Sequence, residues 1–214
     1  MQKSLVGAVV WIVLAIQCFG EKALPADESR NVPHFPEFRR RLFSAVKSRD
    51  ADYIYSIVSP NGEFSFGGNG RGLAGFKAHN SLGNRNAVFW LEMEKLLPYG
   101  GAWDQARNTV WFPFFYSRGL PGGPGRGVDP RAVVMGSDVL VRSSPSKSSA
   151  AIDSLSYEIV NLREWEGDWA RITYSDDSKS GWMNGRYLAS PFGYRSGFKL
   201  EDGRWKLDSF VRGD

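Results

Sequence analysis

The run Gly181-Trp182-Met183-Asn184-Gly185-Arg186-Tyr187-Leu188 closes a series of short apolar segments that begins at Val133. Residues 139–142, 156–163 and 168–174 precede it, and turn residues separate each segment from the next. Short strands repeated about every ten residues are typical of a small β-barrel. The sequence therefore predicts such a barrel in the second half of the chain.

The order of these segments resembles the bacterial SH3-like domain of exported cell-envelope proteins. The resemblance covers about residues 132–190 and rests on Val139-Leu140-Val141-Arg142-Ser143-Ser144-Pro145-Ser146, on Trp169-Ala170-Arg171-Ile172 and on the closing run. It implies a closed sheet of about five strands filled by side chains. It also implies a recognition module, because family members bind peptidoglycan peptides, other ligands or neighbouring domains. The expected core positions are Val139, Val141, Ile152, Leu155, Ile159, Trp169, Ile172, Trp182 and Leu188.

The first candidate for ligand binding is Trp165, which lies in the charged stretch Glu164-Trp165-Glu166-Gly167-Asp168. We predict a loop here, and exposed aromatic side chains on loops contribute a large share of binding energy. Packing of Trp165 against the N-terminal half is the alternative. Tyr157, Tyr174 and Tyr187 are further candidates for ligand binding.

Residues 1–20 have the pattern of a secretory signal peptide. A basic start at Lys3 precedes an apolar run from Leu5 to Ile16, which is shorter than the roughly 20 residues that span a bilayer. Cleavage after Gly20 predicts a periplasmic or secreted protein with no transmembrane helix in the mature chain.

Cys18 supports a second interpretation of the N-terminus. Ala15-Ile16-Gln17-Cys18 resembles a degenerate lipobox, in which acylation of Cys18 would anchor the protein to a membrane as a lipoprotein. Residues 21–33 are expected to form a linker or polar tether. Both interpretations place the mature protein in the cell envelope or outside the cell.

Composition excludes several kinds of site. Cys18 is the only cysteine, so internal disulfides, thiolate metal sites and a cysteine nucleophile in the folded body are excluded. His34 and His79 are the only histidines and belong to no triad or metal motif, and the glycine loop 67–72 lacks the Gly-Lys-Ser/Thr of a phosphate-binding loop. No cofactor and no metal are expected.

The charge pattern favours no nucleic-acid partner. The net charge is only +4, and the densest basic run is Arg39-Arg40-Arg41. Because Glu37 can pair with Arg41 one helical turn away, a solvated helix face explains this run.

Residues 34–119 are expected to form an α+β domain. The predicted helices cover 36–48, the segment from Asp50 to the stop at Pro60-Asn61-Gly62, 73–79 and 87–97, and the predicted strands cover 63–66 and 108–116. Residues 120–131 are rich in glycine and proline and form a predicted linker.

The C-terminal residues 191–214 are predicted to form a hairpin turning at Asp202-Gly203. An isolated hairpin is marginally stable, so we expect residues 192–214 to complete the α+β domain. The alternative is two domains in sequence, with the hairpin extending the barrel. Residues 50–66 and 202–207 loosely resemble the SnoaL-like cone fold.

Three functions are compatible with this pattern. The first is a non-catalytic cell-envelope protein whose barrel recognises a peptidoglycan component or a protein partner. The second is a small-ligand-binding protein with an aromatic pocket in the α+β domain, lined by Phe64, Phe66, Phe89, Trp90, Trp103, Trp111 and Phe114. The third is an enzyme using His79 with Glu92, Glu94 or Asp104.

Overall fold

The computed structural model describes residues 20–65, 69–122 and 130–213, in which helices are combined with two open sheets. The α+β class predicted from the sequence is confirmed. Cys18 and the rest of residues 1–19, Phe66 and most of the predicted linker lie outside the described residues.

The helices of the described residues lie mainly in the N-terminal half. They are α1 (Phe35–Ser48), α2 (Ala51–Ile57), α3 (Gly72–His79), α4 (Val88–Tyr99) and α5 (Phe114–Arg118), with single 3-10 turns at Glu28–Asn31 and Gly185–Tyr187. The first sheet has the strand order β1 (Val58–Glu63), β12 (Arg204–Arg212), β11 (Tyr194–Glu201), β3 (Thr109–Phe112) and β2 (Ala102–Asp104).

The second sheet contains the remaining strands. Its order is β10 (Leu188–Ala189), β4 (Arg131–Val134), β7 (Ile159–Glu166), β8 (Trp169–Tyr174), β9 (Lys179–Asn184), β5 (Val139–Arg142) and β6 (Ala151–Leu155). This is the order of an open sheet with β10 and β6 at its edges, so a closed SH3-like barrel is not confirmed.

Helices α1 and α2 form where the periodicity of the sequence predicts them. The buried face of α1 includes Leu42 and Val46, at helical spacing. The carboxylate of Asp50 accepts a hydrogen bond from the backbone N–H of Tyr53 at 3.0 Å and caps α2. The predicted stop of α2 is wrong, because Pro60-Asn61-Gly62 lies inside β1. Proline is tolerated there since β1 is an edge strand, where a missing N–H breaks no ladder bond on the open side.

The predicted aromatic strand 108–116 is divided in two. Strand β3 ends at Phe112, and α5 begins at Phe114 after Pro113. Strand β3 lies between β11 and β2, and Pro113 follows its end, so the proline interrupts no ladder of the sheet.

The C-terminal hairpin lies in the first sheet. Strand β12 pairs in parallel with β1, and β11 pairs in the antiparallel sense with β3. Phe198 and Leu207 are fully buried there, and Phe35 of α1 packs against Phe198 with ring centroids 6.2 Å apart. The chain therefore passes through the whole second sheet between β3 and β11 of the first.

The second sheet has a core of its own, but four expected core residues lie outside it, among them Ile159, which is half-buried against the cluster that contains Ala23 and Tyr99. Val139, Val141, Leu155, Ile172 and Leu188 are buried as predicted. Ile152 is 52% exposed on edge strand β6, and Trp169 and Trp182 are half-buried.

Strand β9 turns the opposite face to the core from the one that we predicted, and Gly181 is the reason. A methyl group on Gly181 would lie 2.4 Å from Cγ1 of Val141, so the inward position next to Val141 has room only for glycine. Met183 shares this inward face and is fully buried. Strand alternation then turns Trp182 outward, opposite to the prediction.

The segment 21–33, expected as a linker or tether, is packed between the two sheets. The N–H of Ala23 donates to the carbonyl of Tyr157 at 2.9 Å, and the hydroxyl of Tyr99 donates to the carbonyl of Ala23. Ala23 and Tyr99 belong to a buried cluster that also contains Phe115, Leu120, Val133 and Ala189. This cluster joins the helical part to the second sheet.

Candidate functional site

An exposed aromatic edge is formed by Trp165 with Gly185, Arg186 and Tyr187, and we call it the Trp165 edge. Trp165 is 56% exposed and lies on β7 opposite Ala170 of β8. The sequence predicts a loop at this position, but residues 164–166 belong to β7. The strand fixes the backbone of Trp165 more firmly than a loop would.

The β7–β8 hairpin presents Trp165 through a tight turn at Gly167-Asp168. Gly167 has φ +55°, which glycine adopts without steric cost. The carbonyl of Asp168 accepts a hydrogen bond from the N–H of Gly185 at 2.8 Å, which ties the hairpin to the 3-10 turn after β9. The two parts of the edge, about 20 residues apart in the chain, are therefore held together.

The indole of Trp165 lies directly over Gly185. A methyl group on Gly185 would be 2.6 Å from Cζ3 and 2.9 Å from Cη2 of Trp165, closer than any side chain allows. Glycine at this position therefore sets the orientation of the ring while one part of its surface stays open to solvent. Gly185 is a site residue that the sequence analysis missed.

Charged groups of both signs border the Trp165 edge. Glu164 and Arg171 pair across the hairpin at 3.0 Å, and the carboxylates of Glu166 and Asp168 are exposed at its tip. On the other side, the guanidinium of Arg186 lies 5.5 Å from the ring centroid of Tyr187. The edge can thus offer a ligand an aromatic surface, acceptors and a donor.

Helix α4 contacts the chain directly after the Trp165 edge. The ammonium group of Lys95 donates to the carbonyl of Leu188 at 3.1 Å. The hydrogen bond from Arg49 is the main cause that lowers the pKa of Glu94, and the charge of Arg186 adds to the effect. Arg186 therefore lies within electrostatic reach of α4.

The three tyrosine candidates have different environments. Tyr187 is 41% exposed beside Arg186 and belongs to the edge. Tyr174 is only 5% exposed, and its hydroxyl donates to Asp153 at 3.2 Å. Burial, with the charge of Asp153, raises the pKa of Tyr174 to about 12. Tyr157 packs near Tyr99 between the two sheets, at a centroid distance of 6.4 Å. Tyr174 and Tyr157 therefore pack within the fold and do not belong to the Trp165 edge.

A second aromatic position on the same sheet was assigned to the core by the sequence analysis. Trp182 is half-buried and faces outward between Arg142 and Arg171, which are its paired residues on β5 and β8. A tryptophan that follows a glycine, with arginines at the paired positions of the neighbouring strands, is the signal that could have identified the outward face of Trp182.

The aromatic residues proposed to line a pocket in the α+β domain are largely its core. Phe64, Phe89 and Trp90 are buried, and Phe89 contacts Trp90 with ring centroids 5.3 Å apart. Trp111 lies half-buried against Tyr116 at 5.2 Å, and Phe66 lies outside the described residues. These side chains fill space that a ligand would need.

His79 lies exposed at the end of α3. Glu94 is held by Arg49 at 2.8 Å, and Asp104 is held by Arg107 at 2.7 Å. Within the described ranges, no cluster of histidine, cysteine and acidic residues could hold a metal ion.

Among the described residues, two surface cavities of the helical half stand out, and His79 does not border either of these two. One, of about 330 Å³, lies between α1 and the end of α4, where Arg30, Arg39 and Arg40 border it. The other, of about 520 Å³, is bordered by Glu28, Asn31, Trp103, Asp104, Gln105 and Arg118, and we call it the Trp103 cleft.

No helix of the described part of the chain is long and apolar enough to cross a membrane.

Comparisons with protein-family models, with curated proteins and with solved structures found no match.

Proposed function

We propose that the protein is a non-catalytic recognition protein of the cell envelope, and that the Trp165 edge binds a peptidoglycan peptide. The observation that carries this proposal is the indole of Trp165, 56% exposed and held over Gly185 by a tied hairpin. A large aromatic surface at a fixed position gains contact area with little loss of side-chain entropy on binding.

The charges around the indole suit a short peptide with free ionic groups. The carboxylates of Glu166 and Asp168 can accept from an amine, and the guanidinium of Arg186 can donate to a carboxylate. Peptides of the cell wall carry both kinds of group. This chemistry supports a wall peptide over an uncharged ligand at the Trp165 edge.

The sequence supplies the cellular context of the proposal. Residues 1–20 have the pattern of a signal peptide, which supports a periplasmic or secreted protein, or a lipoprotein anchored through Cys18. The segment order of residues 132–190 supports an SH3-like domain, the class of recognition module to which we assign the second sheet.

A non-catalytic role is proposed because the acidic groups that could act with His79 are held in ion pairs. The carboxylates that could assist His79 are engaged, since Glu94 pairs with Arg49, Asp104 with Arg107 and Glu92 with Lys95. Phe64, Phe76, Phe89 and Trp90 of the helical half are buried and packed against one another. Binding through an exposed edge requires none of these groups.

The proposal is tested by co-sedimentation of the purified protein with peptidoglycan sacculi at low and high salt. High salt screens simple charge adsorption and leaves contacts to the indole intact. We expect retention at high salt, and we expect Trp165→Ala to abolish it. Leu140→Ala is the matched control, because Leu140 is another exposed apolar residue of the same sheet.

Either of two results would overturn this function. If the native protein is not retained at high salt, the edge does not bind the wall, and a protein partner becomes the occupant to search for. Equal retention of the Trp165→Ala variant would show that another surface holds the wall.

A further inference from the structure

The Trp103 cleft is built around a tryptophan whose position is fixed from three sides. The backbone N–H of Trp103 donates to Oε2 of Glu28 at 2.8 Å, and its carbonyl accepts from Arg118 at 2.9 Å. The indole contacts Trp205 edge-on, with ring centroids 5.9 Å apart. Trp103 is half-buried and is one of the residues that border the cleft.

Two side-chain amides of the cleft are available to a ligand. Asn31 and Gln105 are exposed, and neither side chain makes a hydrogen bond within the described residues. An amide both donates and accepts, which matches the hydroxyl group, itself a donor and an acceptor. These amides would satisfy neighbouring hydroxyls of one ligand.

The charges of the cleft are balanced. Arg118 binds both oxygens of Glu28, at 2.9 and 2.6 Å, and Arg107 binds Asp104 at 2.7 Å. Each carboxylate is thus matched by a guanidinium group. The cleft therefore has no excess charge that would attract an anionic or a cationic ligand. Binding of a neutral polar ligand does not require such an excess.

The carboxylates are suited to accept hydrogen bonds and not to protonate a leaving group. The hydrogen bond from Arg118 lowers the pKa of Glu28, and the hydrogen bond from Arg107 lowers the pKa of Asp104. A glycosidase acid needs the opposite shift, toward a protonated carboxyl group at neutral pH. Both carboxylates therefore stay ionised at neutral pH and can accept hydrogen bonds from a ligand.

We propose that the Trp103 cleft is a saccharide-binding site, which takes a neutral sugar of one or two rings. The indole of Trp103 would contact the apolar face of a sugar, and the amides and carboxylates would bind its hydroxyls. A volume of about 520 Å³ lies within the range of small-ligand pockets. This site does not depend on the recognition function proposed for the Trp165 edge.

The test is an NMR titration of the full protein with N,N′-diacetylchitobiose and, separately, with cellobiose. Each tryptophan indole gives its own N–H signal, so Trp103 and Trp165 report on the two surfaces in one spectrum. We expect a saturable shift of the Trp103 signal and none of the Trp165 signal. We expect Asn31→Ala and Gln105→Ala each to weaken binding about fivefold, as for a neutral hydrogen bond.

The control variant is Asn86→Ala, which removes another exposed asparagine, one outside the cleft, and should leave the affinity unchanged. Because Asn31 and Gln105 are exposed and make no internal side-chain bonds within the described residues, their replacement should not impair folding.

Three results would overturn the saccharide site. They are the absence of a Trp103 shift with both sugars, a shift confined to Trp165, and binding that both amide variants leave unchanged. Since this titration is read at Trp103 and the sacculus assay at Trp165, failure of one proposal is distinguishable from failure of the other.

Discussion

At the residue scale, the candidate site depends on a residue that has no side chain. Trp165 is visible in the sequence as an aromatic residue among charges, and the structure leaves it 56% exposed. Its orientation depends on Gly185, which the sequence shows only as one more turn glycine. The pairing of a tryptophan with a glycine about 20 residues later is a tertiary contact that no local periodicity encodes.

The first prediction concerns this contact. Gly185→Ala should displace the ring of Trp165 without unfolding the sheet, because the two atoms nearer than 3.0 Å to the added methyl group belong to the exposed side chain of Trp165, which can move. The indole N–H signal of Trp165 should shift in an NMR spectrum, while the signals of buried Trp90 stay in place. An unchanged Trp165 signal would show that the ring does not rest on Gly185.

The second prediction concerns Asp27, which accepts hydrogen bonds from Ser29 and Arg39 at the base of the packed segment 21–33. Burial alone would raise the pKa of Asp27, but the bond from Ser29 and the charge of Arg39 outweigh it and lower the pKa below 3.8. The pairing therefore stabilises the fold above about pH 4, and this stabilisation is lost as the pH falls through the lowered pKa.

We expect Asp27→Asn to reduce the free energy of unfolding at pH 7 by about 1–3 kcal/mol, measured by urea denaturation. The difference from the native protein should shrink as the pH falls below about 4. Asp202→Asn, in an exposed turn, is the control and should have little effect. A deficit that is the same at pH 3 and pH 7 would contradict the assigned role of Asp27.

At the scale of elements, the helices were the most predictable part of the fold. The apolar spacing of α1 and the cap of α2 at Asp50 are local signals, and both are confirmed. The buried face of the second sheet was harder to predict. Gly181 and Met183 point inward because Val141 of the neighbouring strand lies against Gly181, and this contact is not visible in the local sequence. The alternation of a strand divides its side chains between two faces of the sheet. The side chains of the neighbouring strands decide which of these two faces is buried.

The pairing of the C-terminal hairpin gives the third prediction. Leu207 of β12 is fully buried beside β1, so Leu207→Ala should lower the free energy of unfolding of the protein by about 2–5 kcal/mol, measured by thermal unfolding followed by far-ultraviolet circular dichroism. Leu140→Ala, at an exposed position of the second sheet, is the control and should cost less than about 1 kcal/mol. If Leu207→Ala left the melting of the helices unchanged, the hairpin would not belong to the first sheet.

At the scale of the whole molecule, the chain leaves the first sheet after β3, forms the second sheet and returns to the first at β11. The buried cluster around Ala23 and Tyr99 joins the two parts, and the segment 21–33 runs between them. The sequence predicts only a linker or polar tether for this segment. Its backbone hydrogen bonds to Tyr157 and Gly101 come from distant parts of the chain and could not be predicted from local pattern.

The fourth prediction follows from this shared cluster. The native protein should unfold in one cooperative transition, with calorimetric and van't Hoff enthalpies in agreement. Tyr99→Ala removes a buried ring from the cluster and should separate the transition into two. Tyr99→Phe keeps the ring and loses only the bond to Ala23, so it should lower stability by about 1 kcal/mol and keep a single transition. Two transitions in the native protein would contradict this coupling.

The central claim is that the wall is bound by Trp165 in the orientation set by Gly185. The most direct measurement is sacculus retention at high salt of Gly185→Ala beside Gly83→Ala, a control glycine with no atom within 4 Å of an added methyl group. We predict that Gly83→Ala is retained like the native protein and that Gly185→Ala is released. Equal retention of both variants would contradict the claim.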